Sequence, residues 1–103
     1  MPVYLVTDVT VHDPERYRAY SQAGHAAALR HGGRFLVEGG RPEPVEGNWQ
    51  PRRMAILEFS DREAALAFYH SPEYADARER RSGIADFNMV LVAAAANAPT
   101  SQE

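Results

Sequence analysis

The sequence predicts a small α+β domain whose strands and helices follow the order βαββαβ. Three features of the 103-residue chain support this prediction. Two segments rich in apolar and β-branched residues each lead into a helix-start signal. A glycine pair ends the first helical segment, and a stretch rich in proline and glycine separates the two halves of the chain.

The first half of the chain is predicted to form a strand, a helix and a second strand. Strand 1 covers residues 2–11, and Asp13-Pro14 then starts a helix. The Asp13 carboxylate can cap the helix, and the N–H that Pro14 lacks would have no partner at the first helical position. The helix covers about 14–31 and ends at Gly32-Gly33, and strand 2 covers 34–38. One stripe of this helix suits close packing on a sheet: Tyr17, Tyr20, Ser21, Gly24, Ala28 and His31.

The second half is predicted to form a strand followed by a helix with one break. Strand 3 covers residues 54–59, and Ser60 with Glu63 has the spacing of a capping box. The helix is expected over 61–69. It restarts at Ser71-Pro72, where the hydroxyl caps a second segment.

The remaining segments complete a single domain. Strand 4 covers about 86–92, so the domain is expected to span 1–95 and to be followed by a flexible tail over 96–103. The connection 39–52 holds three prolines and three glycines, which exclude a regular element. Trp49 and Val45 are apolar residues in a segment that should be polar, and Trp49 is the larger of the two. It is expected either to cover a cavity or to pack on a partner subunit.

Right-handed crossovers predict a ferredoxin-like sheet with strands 1 and 3 in the middle and strands 4 and 2 at the edges. We expect strands 1 and 3 to run parallel. Side chains alternate between the faces of each strand, so one face is predicted to be apolar and covered by helices. This face holds Leu5, Phe35, Val37, Ala55, Leu57, Phe59, Phe87, Met89 and Leu91.

The other face of the sheet, called the open face below, mixes apolar and polar side chains. Its predicted members are Tyr4, Val6, Asp8, Arg34, Leu36, Glu38, Ile56, Glu58, Asn88, Val90 and Val92. Exposure of so many apolar side chains is costly in water. We therefore expect a homodimer in which two open faces pack together as a dimeric α+β barrel and enclose a partly polar cavity.

Parallel central strands would gather four polar residues at one end of the open face. Asp8 and Glu58 are then candidate catalytic residues, because neighbouring carboxylates can raise one pKa and act as acid or base. Arg34 and Asn88 would flank them as ligand-binding groups. An alternative is an ion-pair network that only closes the end of the barrel. Further ligand-binding candidates are Tyr4, Glu38, His25, Trp49 and Arg81.

Composition argues against several classes of function. A formal net charge of −3 is atypical of a nucleic-acid-binding platform, and the absence of cysteine excludes disulfides and thiol chemistry. The four histidines lack metal-ligand spacing, so neither a metal nor a cofactor is expected. No apolar run is long enough for a membrane span and no signal peptide is evident, so we expect a cytoplasmic protein without a membrane partner.

Several short motifs, in this order, resemble the domain-of-unknown-function 1330 family over about residues 3 to 93. They are Gly32-Gly33-Arg34-Phe35-Leu36-Val37-Glu38-Gly39-Gly40, Glu46-Gly47-Asn48-Trp49, Glu58-Phe59, Ala67-Phe68-Tyr69, Ser71-Pro72-Glu73-Tyr74 and Arg81. The resemblance implies the dimeric α+β barrel superfamily, which includes small monooxygenases, isomerases and stress-responsive barrel proteins. It implies no established reaction. Phe68 departs from the family pattern, in which tryptophan is expected.

Three functions remain open from the sequence. The first is binding or transformation of a small organic acid or aromatic compound without a cofactor, in which case the chemistry would be monooxygenase-like or isomerase-like. The second is a non-catalytic ligand-binding or stress-related module. The third is a purely structural dimer with a filled cavity.

Overall fold

The computed structural model describes residues 1–96 and has the predicted order of elements, with the second helical segment divided in two. From position 97 onward, the expected C-terminal tail lies outside the described residues. The elements are β1 (Val3–Val11), α1 (Pro14–Arg30), β2 (Arg34–Gly40), β3 (Arg53–Phe59), α2 (Arg62–Tyr69), α3 (Pro72–Glu79) and β4 (Ala85–Ala93).

The four strands form one sheet in the predicted order β2-β3-β1-β4. The expectation that β1 and β3 run parallel is wrong. Val3 pairs with Phe59 and Val9 pairs with Arg53, so the two central strands are antiparallel. The reason is topological: the α1 crossover makes β2 parallel to β1, and β3 reverses direction after β2 before it inserts between them.

Side-chain caps begin each helix where the sequence signals indicate, with one shift. The Arg16 amide donates to Asp13 Oδ1 at 3.1 Å, and the Tyr74 amide donates to Ser71 Oγ at 3.1 Å. In α2, however, the cap is Asp61 and not Ser60, since the Ala64 amide donates to Asp61 Oδ1 at 2.8 Å. A carboxylate at this position also places negative charge at the positive end of the helix dipole.

The core lies between the helices and one face of the sheet. Its centre is an aromatic stack in which Phe68 lies 5.3 Å from Phe59 and 4.4 Å from Tyr74, measured between ring centroids. Gly33 is required beside this stack, because a Cβ there would come within 2.8 Å of the Phe59 ring. The tight fit brings the turn that follows α1 directly against Phe59 of β3.

The open face of the sheet is uncovered in the single chain. Val90 is 60% exposed, and Val92 and Leu36 are 43% and 44% exposed. Val6 and Ile56 pair across β1 and β3 in the middle of the same face. The predicted apolar character of this face is therefore present in the folded structure.

Truncation of Phe59 should destabilise the fold more than truncation of a solvent-exposed apolar residue. Phe59 is 1% exposed, so Phe59→Ala should lower the free energy of unfolding by about 3–5 kcal/mol in urea denaturation followed by circular dichroism. Val45, which is 96% exposed, supplies the control Val45→Ala with a change below about 0.5 kcal/mol. Equal changes in the two variants would contradict this assignment of the core.

Candidate functional site

The principal cavity of the single chain, which is apolar, lies between α1 and the helix-covered face of the sheet. It encloses about 100 Å³. Apolar and aromatic side chains form most of its wall, including Leu5, Tyr17, Tyr20, Phe35, Leu57 and Met89. Such a wall with a few polar groups is typical of a small-molecule site.

His25 and Glu38 form a hydrogen-bonded pair in the lining of this cavity. His25 Nδ1 lies 2.7 Å from Glu38 Oε2, and the imidazole stacks on Phe35 with an interplanar angle of 1°. Their side chains are 41% and 48% exposed, so the pair lies at the rim of the cavity and remains in contact with solvent. The carboxylate and the phenyl ring together fix the orientation of the imidazole.

Irregular pairing of β2 brings Glu38 to this face. Phe35 pairs with Leu57, but Val37 pairs with Ile56 and Glu38 with Ala55, so one residue is skipped and the alternation of faces shifts. The sequence placed Glu38 on the open face and Val37 beneath the helices, and both assignments are wrong. A β-bulge moves each of the two side chains to the opposite face of the sheet, although the residues of the strand are the same.

The α1 stripe noted in the sequence forms one wall of the cavity. The hydroxyls of Tyr20 and Tyr74 share a buried hydrogen bond of 2.6 Å, which joins α1 to α3. A Cβ at Gly24 would meet the Tyr20 ring at 3.2 Å, so the glycine leaves room for that ring along its own helix. Sequence reasoning identified the stripe but did not identify it as a cavity wall.

Burial governs the protonation of the two cavity tyrosines. Desolvation raises the pKa of Tyr20, and the adjacent Tyr74 hydroxyl raises it further. Desolvation also raises the pKa of Tyr17, whereas the nearby Arg53 guanidinium opposes that rise. Arg53 lies over the Tyr17 ring at 5.5 Å from its centroid. Both hydroxyls therefore stay protonated at neutral pH, and the Tyr17 hydroxyl can donate a hydrogen bond to a ligand.

The predicted cluster on the open face does not form. Asp8 pairs with Asn88 at one end of the sheet, whereas Glu58 lies between Tyr4 and Arg34 at the other. Glu58 lies four positions along β3 from Met54, the partner of Asp8, a distance of about 13 Å. The antiparallel direction of β3 thus separates the two carboxylates, and they cannot share one proton.

Each half of the expected cluster has its own structural setting. Glu58 is 5% exposed, and Arg34 Nε lies 3.7 Å from its carboxylate as an ion pair. At the opposite end, Trp49 Nε1 donates to Asp8 Oδ2 at 3.2 Å, so the 39–52 connection folds back onto the sheet. An individual functional role for any of these residues stays a prediction.

Arg81 belongs to the helix side and not to the open face. Its guanidinium lies 3.7 Å from the Phe87 ring centroid and 5.4 Å from that of Tyr20. Phe87 and Tyr20 both line the principal cavity, so Arg81 packs behind its wall. This cation–aromatic contact places positive charge near the site.

Two classes of site or segment are absent from the described part of the chain. Within residues 1–96, no cluster of three or more histidine, cysteine, aspartate or glutamate side chains could hold a metal ion. No helix in the same range has the length and apolarity needed to cross a membrane. The predicted cytoplasmic location stays a prediction.

The sheet order and the helical layer define a ferredoxin-like α+β protein, with an apolar cavity between the helices and the sheet. The chain belongs to the family described as domain of unknown function (DUF1330), whose sequence pattern matches residues 2–95. This match confirms the resemblance found in the sequence motifs. No curated protein matches the chain.

Solved structures share the fold at low sequence identity. RPA0582, a protein of unknown function from Rhodopseudomonas palustris, has a TM-score of 0.71 at 21% identity, over 88% of this chain and 80% of its own. SnoaB, a cofactor-independent oxygenase from Streptomyces nogalater, has a TM-score of 0.69 at 18% identity, over 99% and 98%. A dimeric ferredoxin-like protein of unknown function from Bacteroides fragilis has a TM-score of 0.55 at 15% identity, over 87% and 93%. The TM-scores establish a common fold.

Tyr20 should make the fold sensitive to alkaline pH. A tyrosine in the unfolded chain ionises near its ordinary pKa of 10.0, whereas the folded Tyr20 stays protonated because burial raises its pKa. Its contribution to stability is complete below pH 10 and is lost as pH rises toward the folded pKa, by about 1.4 kcal/mol per pH unit. In urea denaturation between about pH 10 and 11, Tyr20→Phe should show a shallower loss of stability than the wild type. Identical slopes would contradict the assignment.

Proposed function

We propose that the protein binds a small aromatic or similarly planar organic molecule in the cavity beneath α1 and removes a proton from it without a cofactor. The observation that supports this proposal most directly is the His25–Glu38 pair in the lining of an otherwise apolar cavity. A base held beside an apolar site acts on a ligand whose body is bound by burial and whose acidic group remains at the rim.

The geometry of the pair suits histidine as the base. Glu38 engages Nδ1, and Nε2 of His25 has no hydrogen-bond partner within residues 1–96. The carboxylate favours the tautomer that carries the proton on Nδ1, which leaves the Nε2 lone pair able to accept a proton. Stacking on Phe35 limits rotation of the ring. His25 is therefore the candidate base and Glu38 its positioning residue.

The size of the cavity limits the class of ligand. A cavity of about 150 Å³ accommodates benzene, and the present one encloses about 100 Å³. One six-membered ring fits after a small adjustment of the walls, whereas fused ring systems exceed the space. The hydroxyl of Tyr17 supplies a hydrogen-bond donor for a carbonyl or phenolic oxygen.

The fold supports a reaction without a cofactor. SnoaB, which shares the fold over nearly the whole chain, is a cofactor-independent oxygenase. Isomerisation and cofactor-free oxygenation can both begin with the removal of a proton from a C–H or O–H group of the substrate. The proposal is therefore a proton-abstracting enzyme whose later steps are of one of these two types.

We also propose that the open face mediates a homodimer. Its middle is apolar and exposed, while Asp8 with Asn88 and Glu58 with Arg34 place polar pairs at its two ends. An apolar centre with polar ends resembles the usual arrangement of a protein interface. The dimeric ferredoxin-like protein from Bacteroides fragilis supports this assembly.

The catalytic proposal predicts exchange of an acidic C–H proton. Phenylacetone, which is neutral and has one ring, should exchange its benzylic protons with deuterium oxide faster when the protein is present, as measured by proton NMR. His25→Asn should slow the catalysed exchange by about 10²-fold or more, because the base is lost. Glu38→Gln should slow it less while binding is retained.

His70 supplies a matched control for this experiment. It is exposed at the end of α2, and His70→Asn should leave the exchange rate unchanged. Binding of phenylacetone without catalysed exchange would contradict the enzyme and favour a ligand-binding module. No binding at all would favour a structural role for the cavity.

The dimer proposal predicts that one charge on the open face produces a monomer. Light scattering after size exclusion should give about twice the chain mass of 11.5 kDa for the wild type. Val90→Asp should give a single-chain mass, because it places a carboxylate in the apolar middle of the face. Val45→Asp, on the 39–52 connection, should remain dimeric. A monomeric wild type would refute the proposal.

A further inference from the structure

A second cavity, here called the arginine cleft, lies next to the principal cavity. Three guanidinium-bearing residues line it, Arg41, Arg52 and Arg53, together with Val9, Val11 and Gly39. Its volume is about 420 Å³, larger than that of the apolar cavity. The irregular segment between β2 and β3, residues 41–52, therefore contributes two of the three basic groups to one concave surface.

None of the three arginines forms a salt bridge within residues 1–96. Elsewhere in the same range arginines do pair with carboxylates, as Arg80 does with Asp76 at 3.0 Å. The chain as a whole carries a net charge of −3, so acidic groups are in excess. Three unpaired cations around one cleft of an acidic protein form a local positive field that attracts anions.

Arg53 connects the arginine cleft to the apolar cavity. It lines both spaces, and its guanidinium lies over the Tyr17 ring. The guanidinium also packs on Gly39, where a Cβ would come within 3.2 Å of an Arg53 terminal nitrogen. A ligand in contact with Arg53 can therefore extend from the aromatic wall into the basic cleft.

We infer that the ligand is an organic dianion, with its planar body in the apolar cavity and its anionic group in the arginine cleft. The placement of the planar body in the apolar cavity rests on the proposed function, whereas the placement of the anionic group in the arginine cleft does not. Guanidinium groups suit such an anion because their planar donors bind phosphate and carboxylate oxygens in pairs. Three cations favour a doubly charged group, such as a phosphomonoester or a dicarboxylate, over a monoanion.

The test is calorimetric titration of the full chain with four probes: phenol, inorganic phosphate, phenyl phosphate and phthalate. Phenyl phosphate or phthalate should bind at least tenfold more tightly than phenol, and the better of the two identifies the type of anion. The double variant Arg41→Gln/Arg52→Gln should raise the Kd of the tighter dianion at least tenfold and leave that of phenol unchanged. Both arginines are exposed on the 39–52 connection, so their replacement leaves the core intact.

A matched control removes two positive charges elsewhere. Arg30 ends α1 and Arg62 begins α2, at the end of the sheet away from the cleft, and Arg30→Gln/Arg62→Gln should bind all four probes as the wild type does. Equal weakening in the two double variants would overturn the inference, because it would show only the effect of net charge.

The outcomes separate this inference from the proposed function. If phenol binds and neither dianion binds more tightly than phenol, the inference about the arginine cleft is wrong, and the proposal for the apolar cavity stands. Binding of inorganic phosphate that depends on Arg41 and Arg52, without binding of phenol, would support the cleft and contradict the cavity proposal. Absence of binding for all four probes would refute both.

Discussion

The register of β2 against β3 determines which side chains can meet a ligand. If the alternation of faces had continued from Phe35, Glu38 would point away from α1 and His25 would lack its carboxylate partner. The skipped residue instead brings Phe35 and Glu38 to the same side, where one stacks on the imidazole and the other binds it. A change of a single residue in strand pairing thus creates the polar part of an apolar cavity.

Local signals were sufficient to predict the elements and their order. Asp13-Pro14 and Ser71-Pro72 start helices at those positions, and the order of strands in the sheet follows from the handedness of the crossovers. These features depend on neighbouring residues or on general topology. For that reason they are visible in one sequence.

The candidate site was harder to predict because it depends on pairing between distant segments. The shift that moves Glu38 lies between Phe35 and Val37, where neither glycine nor proline marks it, whereas Gly39, with a φ of 78°, accompanies a second shift between Glu38 and Gly40. Asp8 and Glu58 are separated because β3 runs antiparallel to β1, whereas the prediction from the sequence had the two strands parallel. Tyr17 and Tyr20 were recognised as one helical stripe, but nothing in their spacing distinguishes a filled core from a cavity wall.

Trp49 is the only tryptophan in the chain, and it does not belong to the hydrophobic core. Its side chain is 61% exposed and is held by Asp8 at the surface of the sheet. Intrinsic fluorescence of this protein therefore reports on the 39–52 connection, whereas circular dichroism reports on the helices. The two signals coincide during denaturation only if that connection and the core unfold as one cooperative unit.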